Sequence, residues 1–139
     1  MTRLSGRLAE IADALPLRPG LRVLEVGCGP GALARELVRR IGDGHVLAID
    51  RSATAIRQAT AASRSEIEAG RLGLRLVAVE EFELEPGEAP FDLAVAVRVG
   101  VLDGRHPGAR ARGRLAAALA PGGRLFVDGG DPLRELPLA

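Results

Sequence analysis

Apolar residues recur along the chain in two alternating patterns, one typical of amphipathic helices and one typical of buried strands. Short runs rich in Val, Ile and Leu, bounded by glycine or proline, predict five strands, at residues 21–26, 45–49, 74–79, 91–97 and 124–127. Stretches with apolar residues three or four positions apart predict four helices, at about residues 4–15, 31–41, 52–69 and 108–120. Helical and strand segments therefore follow one another in turn.

This alternation predicts an α/β fold with a doubly wound parallel sheet of about five strands and helices on both faces. Residues 91–97 are almost continuously apolar, as expected of a central strand that is covered on both sides. The length of 139 residues predicts a single domain, 1–139, with an N-terminal helix within 1–16 and an irregular tail at 129–139.

Composition argues against several classes of partner. A net charge of +1 gives no general attraction for nucleic acid or an anionic membrane. With three Phe and no Trp or Tyr, the chain has few aromatic rings on which bases could stack. Glu10 and Asp13 interrupt the apolar stretch that a signal peptide would need. We therefore expect a cytoplasmic protein with no nucleic-acid, membrane or metal partner.

A glycine-rich loop, Gly27-Cys28-Gly29-Pro30-Gly31, follows the first predicted strand. In a parallel sheet, ligands bind beyond the carboxyl ends of the strands, and glycines let the backbone approach them closely. Asp50 ends the second predicted strand, where a carboxylate can accept both hydroxyls of an adenosine ribose. Loop and carboxylate together predict an adenosine-containing cofactor.

Two cofactor classes fit such a loop. With Ala32 in the last place it matches the G-x-G-x-x-A dinucleotide fingerprint, and it also matches G-x-G-x-G. Glu25 would repel a pyrophosphate but suits a ligand that ends in an ammonium. Pro30 removes an N–H that a pyrophosphate needs. Five predicted strands also leave no second mononucleotide-binding half, so the second pattern is favoured.

Three segments resemble the class I S-adenosylmethionine (SAM)-dependent methyltransferases. Residues 23–31, Val-Leu-Glu-Val-Gly-Cys-Gly-Pro-Gly, resemble motif I of that family. Residues 91–93 resemble its entry to strand four, and residues 119–125 resemble its turn into strand five. The resemblance implies a Rossmann-like sheet in the order 3-2-1-4-5, SAM as cofactor, and methyl transfer to an unidentified small-molecule acceptor.

The resemblance also implies roles for individual residues. Glu25 would help to hold the methionine ammonium, Asp50 would bind the ribose, and Arg98 would lie near the methionine end. Glu80 would accept from the adenine amine, and the backbone N–H of Glu81 would donate to a ring nitrogen. The full cofactor-binding set is Glu25, Gly27, Cys28, Gly29, Gly31, Asp50, Arg51, Ser52, Glu80, Glu81 and Arg98. No catalytic residue is assigned, although Asp103 and His106 are candidates in the loop after strand four.

One part departs from the family pattern. Its members usually add an antiparallel hairpin after strand five, for which residues 129–139, with Pro132 and Pro137, are expected to be too short. Strand five is then an exposed edge unless the tail, the partner in a homodimer or another chain covers it. Because the missing hairpin helps to form the acceptor pocket, a second hypothesis is a non-catalytic SAM-binding module that serves a partner. A nicotinamide-dinucleotide-binding domain remains a third.

Overall fold

Strands and helices alternate as the sequence pattern predicts, with one strand more than expected. The computed structural model describes residues 4–102 and 108–138. Its strands are β1 (Arg22–Val26), β2 (His45–Asp50), β3 (Leu72–Leu76), β4 (Phe91–Ala96), β5 (Leu119–Asp128) and β6 (Leu133–Leu136). Its helices are α1 (Gly6–Ala14), α2 (Ala32–Arg40), α3 (Ala53–Ala62), α4 (Arg64–Glu68) and α5 (Ala109–Ala118), with a 3-10 turn at Val79–Glu81.

All the strands belong to one sheet in the order β3-β2-β1-β4-β5-β6. The first five in this order run parallel, and β6 is antiparallel to β5. The predicted parallel sheet in the order 3-2-1-4-5 is therefore confirmed. Val26 of β1 pairs with Ile49 of β2 and Ala96 of β4, so the carboxyl ends of the central strands meet at one edge.

Two apolar layers cover the sheet, one on each face. Ile11 of α1 and Leu37 of α2 pack against strand residues such as Val23 on one face. On the other face, Phe82 and Leu115 pack against residues such as Leu24. Side chains alternate between faces along a strand, which is why β1 supplies both layers. In the described ranges, no helix is long and apolar enough to cross a membrane.

The prediction of an irregular tail over residues 129–139 is wrong for residues 133–136. They form β6, in which Leu136 pairs with Leu125 and Leu133 pairs with Asp128. Gly129 (φ +104°) and Gly130 form the turn, and a Cβ on Gly130 would overlap the Leu133 carbonyl. A strand of four residues between two prolines has little periodicity of its own and depends on pairing with its neighbour.

Of the covers expected for the edge of β5, the tail is the one observed, because β6 lies along β5. Leu136 is 7% exposed and joins the core. Arg124 donates to Glu135 at 2.8 Å, but both side chains are largely solvated, so this ion pair contributes little. Burial of Leu136 is the main anchor of β6. A homodimer is thus not needed to cover β5.

Other predicted boundaries also shift. The single helix predicted over residues 52–69 is divided into α3 and α4 at Ser63, which is fully buried and accepts a hydrogen bond from Arg35. Strand β5 begins earlier than predicted, at Leu119, which pairs with Phe91. The register with β4 then shifts, so the glycine-rich turn lies inside the strand rather than before it.

We expect the Leu136→Ala variant to lose about 2–3 kcal/mol in the free energy of unfolding, because a buried leucine leaves a cavity when truncated. Denaturant unfolding measures the loss. Leu76, an exposed leucine on the opposite edge strand, is the matched control. Leu76→Ala should change stability by less than about 0.5 kcal/mol. Equal effects of the two changes would contradict the anchoring of β6 by Leu136.

Candidate functional site

The glycine loop joins β1 to α2 through three left-handed residues. The φ angles are +74° at Gly27, +54° at Gly29 and +89° at Gly31. A Cβ on Gly27 would lie 2.8 Å from Cγ2 of Val99, and a Cβ on Gly31 would lie 3.2 Å from Cβ of Ala59. Gly27 and Gly31 are therefore required both by backbone conformation and by close packing. A Cβ on Gly29 would meet no atom within 4 Å, so this part of the loop borders open space.

The Asp50 carboxylate holds the loop in place. The backbone N–H of Gly29 donates to Oδ2 of Asp50 at 2.9 Å, and the N–H of Ser52 donates to Oδ1 at 2.9 Å. Each oxygen keeps a further acceptor position, because an ionised carboxylate offers about four in total. Ser52 also caps α3, since its Oγ accepts from the N–H of Ala55. Asp50 thus shapes the loop and remains able to accept from a ligand.

A cleft of about 430 Å³ opens at the carboxyl ends of β1, β2 and β4, within the size range of small-molecule sites. Five of the predicted cofactor-binding residues line it: Gly27, Asp50, Arg51, Glu80 and Arg98. The rest of the lining is mainly small or apolar: Val26, Ile49, Val77, Ala78, Val79, Val99, Gly100 and Val101.

The 3-10 turn forms one wall of the cleft. Val79 is buried in the core and Glu80 lines the cleft. Arg110 of α5 fixes this turn from outside, with its Nε 2.9 Å from the carbonyl oxygen of Glu80 and its Nη2 3.3 Å from the Glu81 carboxylate. The backbone N–H of Glu81, predicted to contact a ring nitrogen, instead donates to the carbonyl of Ala78 at 2.9 Å. Only Glu80 of the two is thus oriented towards the cleft.

Glu25 lies beneath the loop and not in the cleft lining. Its side chain is on the α2 face of the sheet, like that of Val23, and the residue is 3% exposed. Its Oε1 has no hydrogen-bond partner among the described residues. Burial raises the pKa of Glu25 to about 8, and the nearby Asp50 charge adds to the increase. Glu25 is therefore protonated at neutral pH in the folded protein.

Cys28 is buried in the same loop. Burial, with smaller effects from Glu25 and Asp50, raises the pKa of its thiol to about 12. A thiol that stays protonated is a poor nucleophile. We therefore interpret Cys28 as a small residue that fills a tight loop and not as a nucleophile.

Two supporting residues were missed at the sequence level. Arg35 of α2 donates to the carbonyl of Pro30 at 2.9 Å and to Oγ of Ser63 at 3.0 Å, which ties the loop to α3 and α4. Asp128, at the end of β5, accepts from the backbone N–H of Arg98 at 2.9 Å. Asp128 directly follows a predicted strand, as Asp50 does. This shared position is the pattern that would have indicated Asp128. The candidates Asp103 and His106 lie outside the described residues.

A family model described as "Methyltransferase domain" matches residues 23–123, which include both the glycine loop and the glycine-rich turn within β5. The chain is 37% identical over 122 residues to a ubiquinone biosynthesis O-methyltransferase of Xylella fastidiosa, covering 87% of this chain and 46% of that protein. It is 36% identical over 125 residues to a protein-L-isoaspartate O-methyltransferase of Methylorubrum populi, covering 90% and 52%.

The fold is also similar to solved structures. A SAM-dependent methyltransferase from Thiobacillus denitrificans, crystallised with S-adenosylhomocysteine, superposes with a TM-score of 0.68 at 26% identity, over 87% of this chain and 46% of that one. The chain spans about half the length of the curated relatives that it matches.

The free energy of unfolding should depend on pH through Glu25. The unfolded chain loses this proton near the ordinary pKa of 4.5, whereas the folded protein keeps it up to about pH 8. Stability is therefore expected to fall by a few kcal/mol as pH rises between these values and to level off above them. In Glu25→Gln, an isosteric amide replaces the neutral acid, and this contribution disappears. Urea unfolding between pH 5 and 8.5 measures the difference.

Glu68→Gln, at an exposed position on α4, is the control for this comparison. Its stability should follow that of the wild type at every pH, so that only Glu25→Gln gains relative stability as pH rises. Parallel curves for Glu25→Gln and the wild type would contradict the buried, protonated state of Glu25.

Proposed function

Because the chain belongs to the methyltransferase domain family, we propose that it binds SAM in the cleft at the carboxyl edge of the sheet and transfers the methyl group to a small-molecule acceptor. The position of Asp50 is the observation that supports this proposal most strongly. Its carboxylate is aligned by Gly29 and Ser52 and lines the cleft beside Gly27.

The residues present fit this cofactor. Asp50 has an acceptor position left on each oxygen, which suits a pair of ribose hydroxyls. Gly27 has no side chain where the backbone borders the cleft, and Glu80 presents a carboxylate at the opposite wall, suited to an amine donor. The cleft volume of about 430 Å³ is adequate for a ligand of nucleoside size. Contacts of Arg51, Ser52 and Arg98 with the cofactor remain predictions.

Bound SAM supplies a methyl group on a sulfonium, which is open to in-line displacement. The contribution of the chain is to bind, orient and exclude water. Asp50 would hold the sugar, and Val99 and Val101 contribute apolar side chains to the lining of the cleft. An acceptor that is already deprotonated needs no base. Asp103 and His106 remain candidates for proton removal from other acceptors.

The nature of the acceptor is part of the proposal. The ubiquinone biosynthesis relative supports a small molecule, whereas the isoaspartate relative is named for a protein substrate. The absence of a nucleic-acid partner remains a prediction from the net charge of +1 and the scarcity of aromatic residues. A cytoplasmic location remains a prediction from the sequence as well.

Calorimetric titration with S-adenosylhomocysteine tests cofactor binding. We expect the wild type to bind it, and Asp50→Ala to bind at least about tenfold more weakly, because charge-assisted hydrogen bonds are lost. Asp43→Ala removes an exposed aspartate before β2 and should bind like the wild type. Circular dichroism checks that each variant is folded. No binding by folded wild type, or tighter binding of NADH, would refute the cofactor assignment.

Turnover requires a separate measurement. Release of S-adenosylhomocysteine from SAM, in the presence of a panel of catechols, quinols and carboxylic acids, should reveal an acceptor. Binding of the cofactor with no transfer to any of them would favour the hypothesis of a non-catalytic SAM-binding module.

A further inference from the structure

Asp128 is a buried acid that links two separate elements at the carboxyl edge of the sheet. The residue is 8% exposed at the end of β5. Its Oδ1 accepts from the backbone N–H of Arg98, just after β4, at 2.9 Å. Its Oδ2 accepts from Nη2 of Arg7, at the start of α1, at 3.0 Å. One carboxylate thus connects the strand-four loop and the N-terminal helix to β5.

Arg98 has an unfavourable backbone conformation. Its φ is +59°, and among the described residues it is the only non-glycine with a positive φ. Such a conformation costs free energy for a residue with a Cβ and persists where surrounding interactions enforce it. The Asp128 carboxylate provides that interaction, because it accepts from the N–H of this residue.

The conformation of Arg98 determines where the next residues lie. Arg98, Val99, Gly100 and Val101 all line the cleft. Cγ2 of Val99 would lie only 2.8 Å from a Cβ on Gly27, so Val99 packs directly on the glycine loop. A hydrogen bond of 2.9 Å from the N–H of Leu102 to the carbonyl of Val99 closes a turn here. A rotation at Arg98 would therefore move Val99 away from Gly27.

We propose that Asp128 is a positioning residue of the cleft. Through the backbone of Arg98 it sets Val99 against Gly27, and through Arg7 it fastens α1 to the same edge. Asp128 itself does not line the cleft, so it acts through these neighbours. The effect on cofactor affinity rests on the proposed function, whereas the effect on the loop does not.

Asp92 offers a matched control at the amino ends of the strands, opposite to the carboxyl ends where Asp128 lies. Its Oδ2 accepts from the backbone N–H of Arg22 at 2.9 Å, the same kind of bond as that between Asp128 and Arg98. Asp92→Ala and Asp128→Ala therefore each remove a carboxylate that accepts from a backbone amide. A merely structural role of Asp128 predicts similar consequences for the two variants.

Amide hydrogen exchange of the free protein tests the proposal without any cofactor. In Asp128→Ala, the amides of Arg98 and Leu102 should exchange at least about tenfold faster than in wild type. Asp92→Ala should leave these amides unchanged. In Asp128→Asn, whose side-chain oxygen can still accept from Arg98, most of the protection should return. Unchanged exchange in folded Asp128→Ala, or equal effects in Asp92→Ala, would overturn the proposal.

Titration with S-adenosylhomocysteine then links the loop to the cleft. Asp128→Ala should weaken binding about tenfold, and Asp128→Asn by less than about threefold. Glycine tolerates the left-handed conformation, so the cost of Asp128→Ala should be smaller in an Arg98→Gly background. Equal costs in both backgrounds would refute the route through Arg98. If the wild type itself does not bind, the proposed function fails, and hydrogen exchange alone decides the role of Asp128.

Discussion

The carboxylate of Asp50 is the interaction on which the arrangement of the site depends. It joins the glycine loop after β1 to the start of α3, through the backbone amides of Gly29 and Ser52. These bonds replace the donors that a negatively charged group would otherwise take from water. Parallel strands bring their carboxyl ends together, and the hydrogen bonds of Asp50 then fix the shape of the cleft at these ends.

Several acidic side chains lie at this edge, and each is stabilised in a different way. Asp50 takes backbone N–H groups, and Asp128 takes a backbone N–H and the Arg7 guanidinium. Within residues 4–102 and 108–138, Oε1 of Glu25 has no such partner, and the raised pKa of Glu25 keeps it protonated at neutral pH. Backbone dipoles and the Arg7 guanidinium thus stabilise the carboxylates of Asp50 and Asp128, whereas the buried Glu25 stays neutral.

Family membership and the geometry of the cleft support each other but cover different parts of the function. The family model spans the glycine loop, β2 and β4, whose carboxyl ends border the cleft proposed for the cofactor. Acceptor choice depends on surfaces that differ among relatives, and the matched relatives extend to about twice the length of this chain. Within the chain itself, β6 completes the sheet beside β5 and thereby supports the strand that presents Asp128.

Periodicity and glycine spacing are local properties of the sequence, and they predicted the parallel sheet and the loop with Asp50. The resemblance to the methyltransferases supplied the strand order. It also indicated Gly27, Asp50, Arg51, Glu80 and Arg98, all of which line the cleft. Only the tertiary structure decided that residues 133–136 form β6, because that strand depends on pairing with β5. Tertiary packing likewise placed Glu25 under the loop and Asp128 against Arg98. Burial and partners far along the chain are set by the assembled sheet, and no local pattern encodes them.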